Sequence, residues 1–269
     1  MSSTNFPVKV LRAGRRVLAT PPIQSIINHL GLQSTLSEVY WQLLFRFSGG
    51  RYTQQVRDVK LNFYATNADD YRHYRTLVDE RPVLDDLLSR LKPEDVFYDI
   101  GAYIGSYTCF AAKAISEGQV VTFEPREQKA VQINANLTRN SLHAEIRQEA
   151  LSNKSGKARF STDGVAQLSK SGTEQVILKR GDELVEAGEV PPPTVVKIDV
   201  EGAEVDTIHG LSETLSRPEC RLVYCEVHPT FIGEYNANED DVRRALTDYG
   251  FTVETIHQRG EEYFIRAEK

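Results

Sequence analysis

Acidic and glycine residues follow a strongly apolar stretch near the middle of the chain. The segment VFYDIG contains Asp99 and Gly101, and Gly105 completes a D-x-G-x-x-x-G pattern. Glycine allows a tight turn after a strand and a close approach of the backbone to a ligand. The middle glycine of the dinucleotide motif G-x-G-x-x-G is missing, so a smaller ligand with a sulfonium and an amino-acid end fits better than a pyrophosphate. Asp99 would then face the ammonium group, although purely structural strand–helix turns use the same glycines.

A second acid, Glu124, ends the next apolar stretch, QVVTFE, and is followed by Pro125. An acid at the tip of the second strand, roughly 20 residues after the first turn, accepts hydrogen bonds from ribose hydroxyls. Pro125 ends the strand and opens the following helix. The two glycines and two acids on consecutive strands therefore predict a nucleoside-binding site.

Three more acids and a histidine follow two later apolar stretches. Asp199 and Glu201 come at the end of TVVKID and just after it, and Glu226 and His228 come at the end of RLVYCEV and just after it. Histidine is the natural general base when an alcohol loses its proton, so we assign this role to His228, with Glu226 or Glu201 orienting it or the acceptor hydroxyl. The alternatives are a capping or core histidine, and acids that cap helix N-termini. Helix capping explains Glu204, but it does not explain the crowding of acids at a strand tip.

The elements that position these residues alternate between strands and helices from about residue 70. Strands are predicted at 96–101, 119–124, 146–151, 194–199 and 221–227, and helices at 82–91, 104–116, 126–140, 203–216 and 238–249. Residues 152–181 are predicted to form an insertion that contains strands, and FTVETIH and EYFIRA to form a final strand pair. Regular alternation predicts an α/β fold with a mostly parallel sheet, helices on both faces and a C-terminal antiparallel hairpin.

The first 66 residues differ from the rest, so we predict an accessory segment over 1–66 and the α/β domain over 67–269. Residues 7–47 carry apolar side chains at helical spacing, and residues 51–66 alternate like a small hairpin. Residues 1–60 hold eight Lys or Arg and two acids in a chain of net charge −6, which leaves a strongly acidic body. The basic, aromatic N-terminus is compatible with peripheral membrane contact and a lipid-linked acceptor, or with packing on the neighbouring domain.

Composition narrows the class of protein. With 40% hydrophobic and 26% charged residues, the chain resembles soluble globular proteins, and no stretch approaches the ~18–20 apolar residues of a membrane span. The acidic body would repel a nucleic-acid backbone, so we expect no nucleic-acid substrate. Cys109, Cys220 and Cys225 form no C-x-x-C pair and are odd in number. This argues against a disulfide framework and a cysteine zinc site, and favours a cytoplasmic location, with the membrane surface as the alternative.

Four blocks in order carry a family resemblance: DIGAYIGSYT (99–108), FEPREQKAVQINANL (123–137), KIDVEGAE (197–204) and EVHP (226–229). Together they resemble the FkbM family of S-adenosylmethionine-dependent methyltransferases. The resemblance implies a Rossmann-like class I methyltransferase fold with a mostly parallel seven-stranded sheet, S-adenosylmethionine as methyl donor, and usually O-methylation of a sugar, polyketide or other small molecule. Carried over by position, it implies cofactor-binding roles for Asp99, Gly101, Ala102, Gly105, Glu124 and Asp199, with Ala150 beside the adenine. Tyr103 departs from the family, which typically has Asn there, and receives no cofactor role.

The residues and the resemblance together predict methyl transfer to an oxygen, either a hydroxyl or a carboxylate, of a small-molecule, glycan or glycolipid acceptor. A carboxylate acceptor needs no base. This mechanism requires no metal, although Asp199, Glu201 and Glu226 offer the oxygen ligands that Mg²⁺ binds. Two alternatives are a nicotinamide oxidoreductase, which the missing middle glycine disfavours, and a non-catalytic nucleoside-binding module whose N-terminal helices dock a membrane or protein partner.

Overall fold

The computed structural model describes residues 33–161, 167–168 and 172–269, and residues 8, 10, 11, 13, 20, 21 and 29 before them. Most of the predicted helical region before residue 33 therefore lies outside the described residues. The chain divides into two compact units, Met1–Gln55 with Lys60–Val78 and Val56–Val59 with Asp79–Lys269. None of the helices in the described ranges has both the length and the apolar character needed to cross a bilayer.

The first unit contains a helix, a strand pair and a second helix: α1 (Gln33–Ser48), β1 (Arg51–Val56), β2 (Val59–Tyr64) and α2 (Ala68–Thr76). The two strands form the small two-stranded sheet that the alternation over 51–66 predicted. Aromatic packing joins the strands to α2, because the ring of Tyr74 stacks on Tyr52 with centroids 5.5 Å apart and contacts Phe63 at 5.0 Å. On α1, Leu36 and Val39 remain exposed. Membrane contact through this region stays a prediction.

The second unit carries the predicted α/β fold. It begins with α3 (Arg81–Arg90), β3 (Val96–Ile100), α4 (Ser106–Ala114), β4 (Gln119–Phe123), α5 (Glu127–Arg139), β5 (Glu145–Arg147), β6 (Glu149–Leu151), β7 (Gly156–Ser161), β8 (Gln167–Leu168) and β9 (Glu174–Lys179). It continues with α6 (Gly181–Glu186), β10 (Val195–Ile198), α7 (Glu204–His209), α8 (Ser212–Ser216), β11 (Leu222–Val227), α9 (Pro229–Ile232), a short 3-10 turn (Gly233–Tyr235), α10 (Glu239–Asp248), β12 (Thr252–Arg259) and β13 (Glu262–Glu268).

Seven of these strands form one sheet in the order β12-β13-β11-β10-β3-β4-β5. The pairs from β11 through β10, β3 and β4 to β5 are parallel, whereas β13 runs antiparallel to both β11 and β12. Every residue of β10 and β11 is buried, as expected for parallel strands covered by helices on both faces. The predicted mostly parallel seven-stranded sheet with its antiparallel hairpin is confirmed.

The single strand predicted over 146–151 is wrong, because the chain divides it between two sheets. β5 lies at the edge of the seven-stranded sheet, whereas β6 pairs with β9 in a separate four-stranded sheet of order β6-β9-β7-β8, called the second sheet below. Phe160, Val176 and Leu178 form its own small core, on which Ala150 packs. Alternate residues of β9 are buried in this core. Because β6 pairs with β9, the central sheet ends at Arg147.

The single helix predicted over 203–216 is also divided, into α7 and α8. Gly210 lies between them, and a Cβ atom there would be 2.0 Å from the carbonyl oxygen of Ser152. The chain must therefore pass against the backbone that follows β6, and glycine permits this approach. The helix ends at this contact, and a shorter second helix begins after it.

Gly101 fixes how closely the ends of β3 and β10 approach each other. Its φ is +79°, and a Cβ atom would lie 1.8 Å from the carbonyl oxygen of Asp199. Its N–H also donates to the carbonyl of Phe123 at the end of β4. The ends of three neighbouring strands thus meet at Gly101. A side chain at this position would force these strand ends apart.

We expect Gly101→Ala to lower the free energy of unfolding by more than Gly188→Ala does. Both glycines have positive φ, +79° and +68°, which costs an L residue about 1–3 kcal/mol. A Cβ at Gly188 meets nothing within 4 Å, whereas at Gly101 the Asp199 carbonyl must also move. Urea unfolding of the two variants measures the difference. Equal losses would contradict the close approach of the two strands.

Candidate active site

Four strand ends meet at one edge of the central sheet. The register pairs Ile198 of β10 with Ile100 of β3 and with Cys225 of β11, and it pairs Ile100 with Phe123 of β4. The residues that come next on these strands are therefore neighbours: Asp199, Gly101, Glu226 and Glu124. Ligands of open α/β sheets bind at this edge. The structure thus brings the acids that the sequence singled out to the predicted place.

Asp99 is fully buried at the end of β3 and is held by two side chains. Thr108 Oγ1 donates to its Oδ2 at 2.6 Å, and Lys197 Nζ lies 3.6 Å from its Oδ1. Within the part of the chain that the structure describes, Oδ1 accepts no hydrogen bond. A buried carboxylate oxygen with unused acceptor capacity suits an ammonium group, as at the amino-acid end of S-adenosylmethionine.

Packing between two helices requires glycine at position 105, whereas the sequence suggested close approach to a ligand as the reason. It precedes α4 with a φ of +77°, and a Cβ atom would be 3.0 Å from the Ile133 side chain on α5. Ala102 is buried beside Gly101, and its N–H donates to the Phe123 carbonyl at 3.3 Å. Cofactor binding by Gly105 and Ala102 stays a prediction from the family resemblance.

Glu124 is buried at the end of β4 and binds the neighbouring turn. Its Oε2 accepts from the Tyr103 N–H at 2.9 Å, and its Oε1 accepts from the N–H and the Nε of Arg126 at 3.1 and 2.8 Å. A further contact from Arg126 Nη2 to Oε2 is long, at 3.4 Å. Oε2 therefore retains capacity for a short hydrogen bond from a ribose hydroxyl.

The guanidinium of Arg126 lies between two aromatic rings. Its Cζ is 5.1 Å from the centre of the Tyr103 ring and 5.4 Å from that of Phe160 on β7. Cation–π attraction therefore adds to the ion pair with Glu124 and links the turn at Tyr103 to the second sheet. Sequence reasoning gave Arg126 no role, because nothing local shows that the second sheet reaches this turn.

Ala150 lies in the second sheet, where it pairs with Leu178 of β9 and is partly buried. Contacts between β6 and β4 keep it near the strand that leads to Glu124. This placement is compatible with a wall beside the adenine. The adenine contact itself stays a prediction.

Lys197 is a buried cation between two acids, a role that sequence reasoning missed. Its Nζ lies 3.0 Å from Asp199 Oδ2, 3.6 Å from Asp99 Oδ1 and 4.8 Å from the centre of the Tyr107 ring. Burial opposes the charged form, but the charges of Asp199 and Asp99 hold the pKa of Lys197 above its ordinary value. The sequence did contain one indication of this role, because Lys197 is a charged residue within an otherwise apolar strand.

His228 lies among carboxylates beyond the end of β11. Its Nδ1 donates to Glu204 Oε1 at 2.7 Å, and its Nε2 lies 3.3 Å from Glu201 Oε2 and 3.8 Å from Asp199 Oδ1. The His228 side chain is 1% exposed, whereas Glu201 is 33% and Asp199 23% exposed. Glu201 and Asp199 are therefore more accessible to a ligand than His228.

Glu204 does more than cap a helix, so its interpretation from the sequence was incomplete. Its Oε1 accepts from the Gly202 N–H at 2.9 Å, as a cap would, and also binds His228 Nδ1. The side chain is fully buried. Glu204 therefore fixes the orientation of the imidazole, a role that shows only once β10 and β11 lie side by side.

Burial, together with the neighbouring acids, raises the pKa values of two carboxyl groups. Burial raises the pKa of Glu201 to about 7, with Asp199 adding to the effect and His228 opposing it. Burial also raises the pKa of Glu226 to about 9, again with a contribution from Asp199. These two acids therefore hold protons far more readily than ordinary carboxyl groups.

The neighbouring acids also raise the pKa of His228. Burial alone would lower its pKa, but the hydrogen bond to Glu204 and the charges of Glu201 and Asp199 raise it to about 10. A general base must be unprotonated. The predicted base role of His228 therefore conflicts with the charge that these acids give it, unless further positive charge enters the cluster.

Arg259 connects Glu226, at the end of β11, to Glu80, which lies far away in the sequence, and to Glu262. Its guanidinium binds Glu80 Oε1 at 2.8 Å, Glu226 Oε1 at 2.7 Å and Glu262 Oε2 at 2.6 Å. Tyr107 donates to the other oxygen of Glu80 at 3.2 Å. Sequence reasoning gave Arg259 no role in the site, since no local pattern reveals contacts between residues so far apart.

Comparison with known proteins agrees with the family resemblance. The profile of the methyltransferase FkbM domain matches residues 99–253, which is more than half of the chain. Within this range lie the turn after β3, Glu124, the acids after β10 and His228.

Three relatives illustrate the range of the similarity. The hexuronic acid methyltransferase AglP of Haloferax volcanii is 27% identical over 216 residues, which cover 78% of this chain and 86% of that protein. The 31-O-demethyl-FK506 methyltransferase FkbM of Streptomyces tacrolimicus is 26% identical over 201 residues, covering 61% and 75%. The crystal structure of methyltransferase FkbM from Methylobacillus flagellatus shares the fold with a TM-score of 0.53 at 13% identity, covering 91% of this chain and 60% of that one.

The matched range, the shared fold and the position of the acids at the strand ends agree with one another. The chain belongs to the FkbM family and is a methyltransferase with a Rossmann-like fold that uses S-adenosylmethionine.

Proposed function

We propose that the protein transfers the methyl group of S-adenosylmethionine to an oxygen of a sugar or another small-molecule acceptor. The observation that carries this proposal is the cluster of Asp199, Glu201 and His228 at the ends of β10 and β11. It lies beside the strand end that bears Asp99 and Gly101. Hydroxyl groups are good partners for such carboxylates, and a methyl donor held at the adjacent turn would be within reach.

The names of two relatives support an oxygen acceptor. One is a hexuronic acid methyltransferase, and the other acts on 31-O-demethyl-FK506. The two alignments cover 78% and 61% of this chain. A sugar hydroxyl or a uronic acid carboxylate is therefore the acceptor class that we test first, in free, nucleotide-linked and lipid-linked forms.

On the cofactor side, S-adenosylmethionine supplies an electrophilic methyl group on a sulfonium when it is bound. Glu124 accepts hydrogen bonds from the ribose hydroxyls, and Asp99 binds the ammonium group, since both are buried carboxylates at strand ends. The turn at Gly101 and Ala102 lets the backbone pass close to the ligand. Ala150 borders the adenine.

On the acceptor side, Glu201 and Asp199 hold the acceptor hydroxyl, because they are the partly exposed acids of the cluster. The acceptor oxygen forms a bond to the methyl carbon as the carbon–sulfur bond breaks. The electron pair stays on sulfur, and the hydroxyl proton passes to Glu201. Both nitrogens of His228 already face carboxylates, so His228 orients Glu201. Glu226 is held in place by its hydrogen bond from Arg259 and stabilises the cluster.

We expect Glu124→Gln to weaken the binding of S-adenosylmethionine roughly 10- to 100-fold, because it removes one charge-assisted hydrogen-bond acceptor. Glu127→Gln, an exposed acid at the start of α5, is the matched control and keeps its affinity. Calorimetric titration with S-adenosylmethionine and S-adenosylhomocysteine measures both. Equal affinity in the two variants would show that Glu124 does not hold the ribose.

We expect Glu201→Gln to slow methylation of hydroxyl acceptors by about 10²- to 10⁴-fold, the usual contribution of a general base. The affinity for S-adenosylmethionine stays unchanged, because Glu201 lies on the acceptor side. Release of S-adenosylhomocysteine, with mass analysis of the acceptor, gives the rate. The exposed Glu213 provides the control variant Glu213→Gln, which keeps full activity.

Full turnover by Glu201→Gln on a hydroxyl acceptor would overturn its role as proton acceptor. Tight binding of S-adenosylmethionine without turnover on any acceptor pool would instead favour a non-catalytic binding module, which the comparisons do not favour.

A further inference from the structure

Two carboxylates and one imidazole converge at the ends of β10 and β11. One carboxylate oxygen each of Asp199 and Glu226 and one imidazole nitrogen of His228 all lie within 4.8 Å of one another. Glu226 and His228 are buried, and Asp199 is partly so. Atoms this close can share one ion after small side-chain adjustments, because ligands around a divalent cation lie about 2.0–2.6 Å from it.

We infer that Asp199, Glu226 and His228 bind a divalent cation of the Mg²⁺ or Mn²⁺ type. Two carboxylates favour a hard, oxygen-preferring ion, and one imidazole is accepted by first-row metals such as Mn²⁺. This ligand set differs from the one considered from sequence alone, in which Glu201 stood in place of His228. It also departs from the metal-free mechanism that the sequence predicted.

The surroundings of His228 match a metal ligand. Glu204 Oε1 holds its Nδ1 at 2.7 Å and is itself anchored by the Gly202 N–H, so the ring cannot turn freely. Its Nε2 faces the side where Asp199 Oδ1 and Glu201 Oε2 lie. A carboxylate that fixes one ring nitrogen while the other ligates is the usual arrangement of metal-bound histidine.

A second, independent observation is a buried acceptor that the protein leaves unmatched. The Oε2 atom of Glu204 is buried and has no hydrogen-bond partner among the described residues. Lys197 contacts Oδ2 of Asp199, and Arg259 contacts Oε1 of Glu226. Four carboxyl groups, those of Asp199, Glu201, Glu204 and Glu226, still surround or adjoin His228, and a divalent cation bound there would balance part of their negative charge.

The inference deepens the proposed function and assumes its acceptor side. A cation held by Asp199, Glu226 and His228 would bind the acceptor oxygen directly and stabilise its negative charge during methyl transfer. It would also admit an anionic acceptor such as a uronic acid, which bare carboxylates would repel. Glu201 remains next to the acceptor to receive a hydroxyl proton, and His228 serves as a ligand.

The test measures Mn²⁺ binding to the full-length protein, without cofactor or acceptor. The protein is stripped with EDTA, desalted and titrated with MnCl₂, and free Mn²⁺ is followed by electron paramagnetic resonance. We expect one Mn²⁺ to bind per chain, with loss of binding in Asp199→Asn and Glu226→Gln. We expect Glu204→Gln to weaken it roughly 10- to 100-fold, the usual effect of removing a histidine's supporting carboxylate.

The exposed Glu219 gives the matched control, because Glu219→Gln removes the same charge elsewhere and should bind Mn²⁺ like the unmodified protein. Circular dichroism and thermal unfolding show whether each variant is folded. If Glu226→Gln does not fold, the partly exposed Asp199→Asn decides. Absence of Mn²⁺ binding by the folded unmodified protein, or equal binding by Asp199→Asn and Glu219→Gln, overturns the inference.

Failure of this inference is distinguishable from failure of the proposed function. Methyl transfer that persists in EDTA, by a protein that binds no Mn²⁺, leaves the proposed function intact and removes the metal. Mn²⁺ binding by a protein that methylates no oxygen acceptor gives the reverse result.

Discussion

The arrangement of the site depends on the buried ammonium of Lys197 between Asp99 and Asp199. The register of β10 on β3 places Lys197 directly beside Asp99, and the side chain then reaches Asp199 two residues further along its own strand. A fully buried carboxylate is costly without a cation, and removal of one partner of such a pair typically destabilises a protein by about 3–5 kcal/mol. One cation therefore allows Asp99 and Asp199 to lie next to each other.

The same principle extends outward from Lys197. Arg259 lets Glu80, Glu226 and Glu262 approach one another, and the imidazole of His228 does so for Glu201 and Glu204. Acids that would repel one another in isolation are interleaved with cations that come from distant elements. Their concentration at one sheet edge is thus a property of the whole unit rather than of any single loop.

Residues at strand ends could be predicted from the sequence, because apolar stretches locate the strands and parallel strands place their carboxyl ends together. Asp99, Glu124 and Asp199 were found in this way. Other charged contacts of the site could not be predicted, since Glu80 and Arg259 meet only through tertiary packing and Glu204 was already explained as a helix cap. The division of 146–151 between two sheets escaped prediction for a related reason. Pairing of β6 with β9 depends on residues almost 30 positions away, and local periodicity carries no information about it.

The position of Arg126 between Tyr103 and Phe160 has a thermodynamic consequence. Its guanidinium is bound to Glu124, the carboxylate that we propose as the ribose acceptor, and also packs on a ring of the second sheet. A ligand that competes for Glu124 would change the free energy with which the second sheet is attached to the turn at Tyr103. By linkage the effect would be reciprocal, so a change that stabilises or displaces that sheet would alter the affinity for the ligand by the same factor. The proposed ribose contact would therefore couple the second sheet to cofactor occupancy even if none of its atoms touches the methyl group.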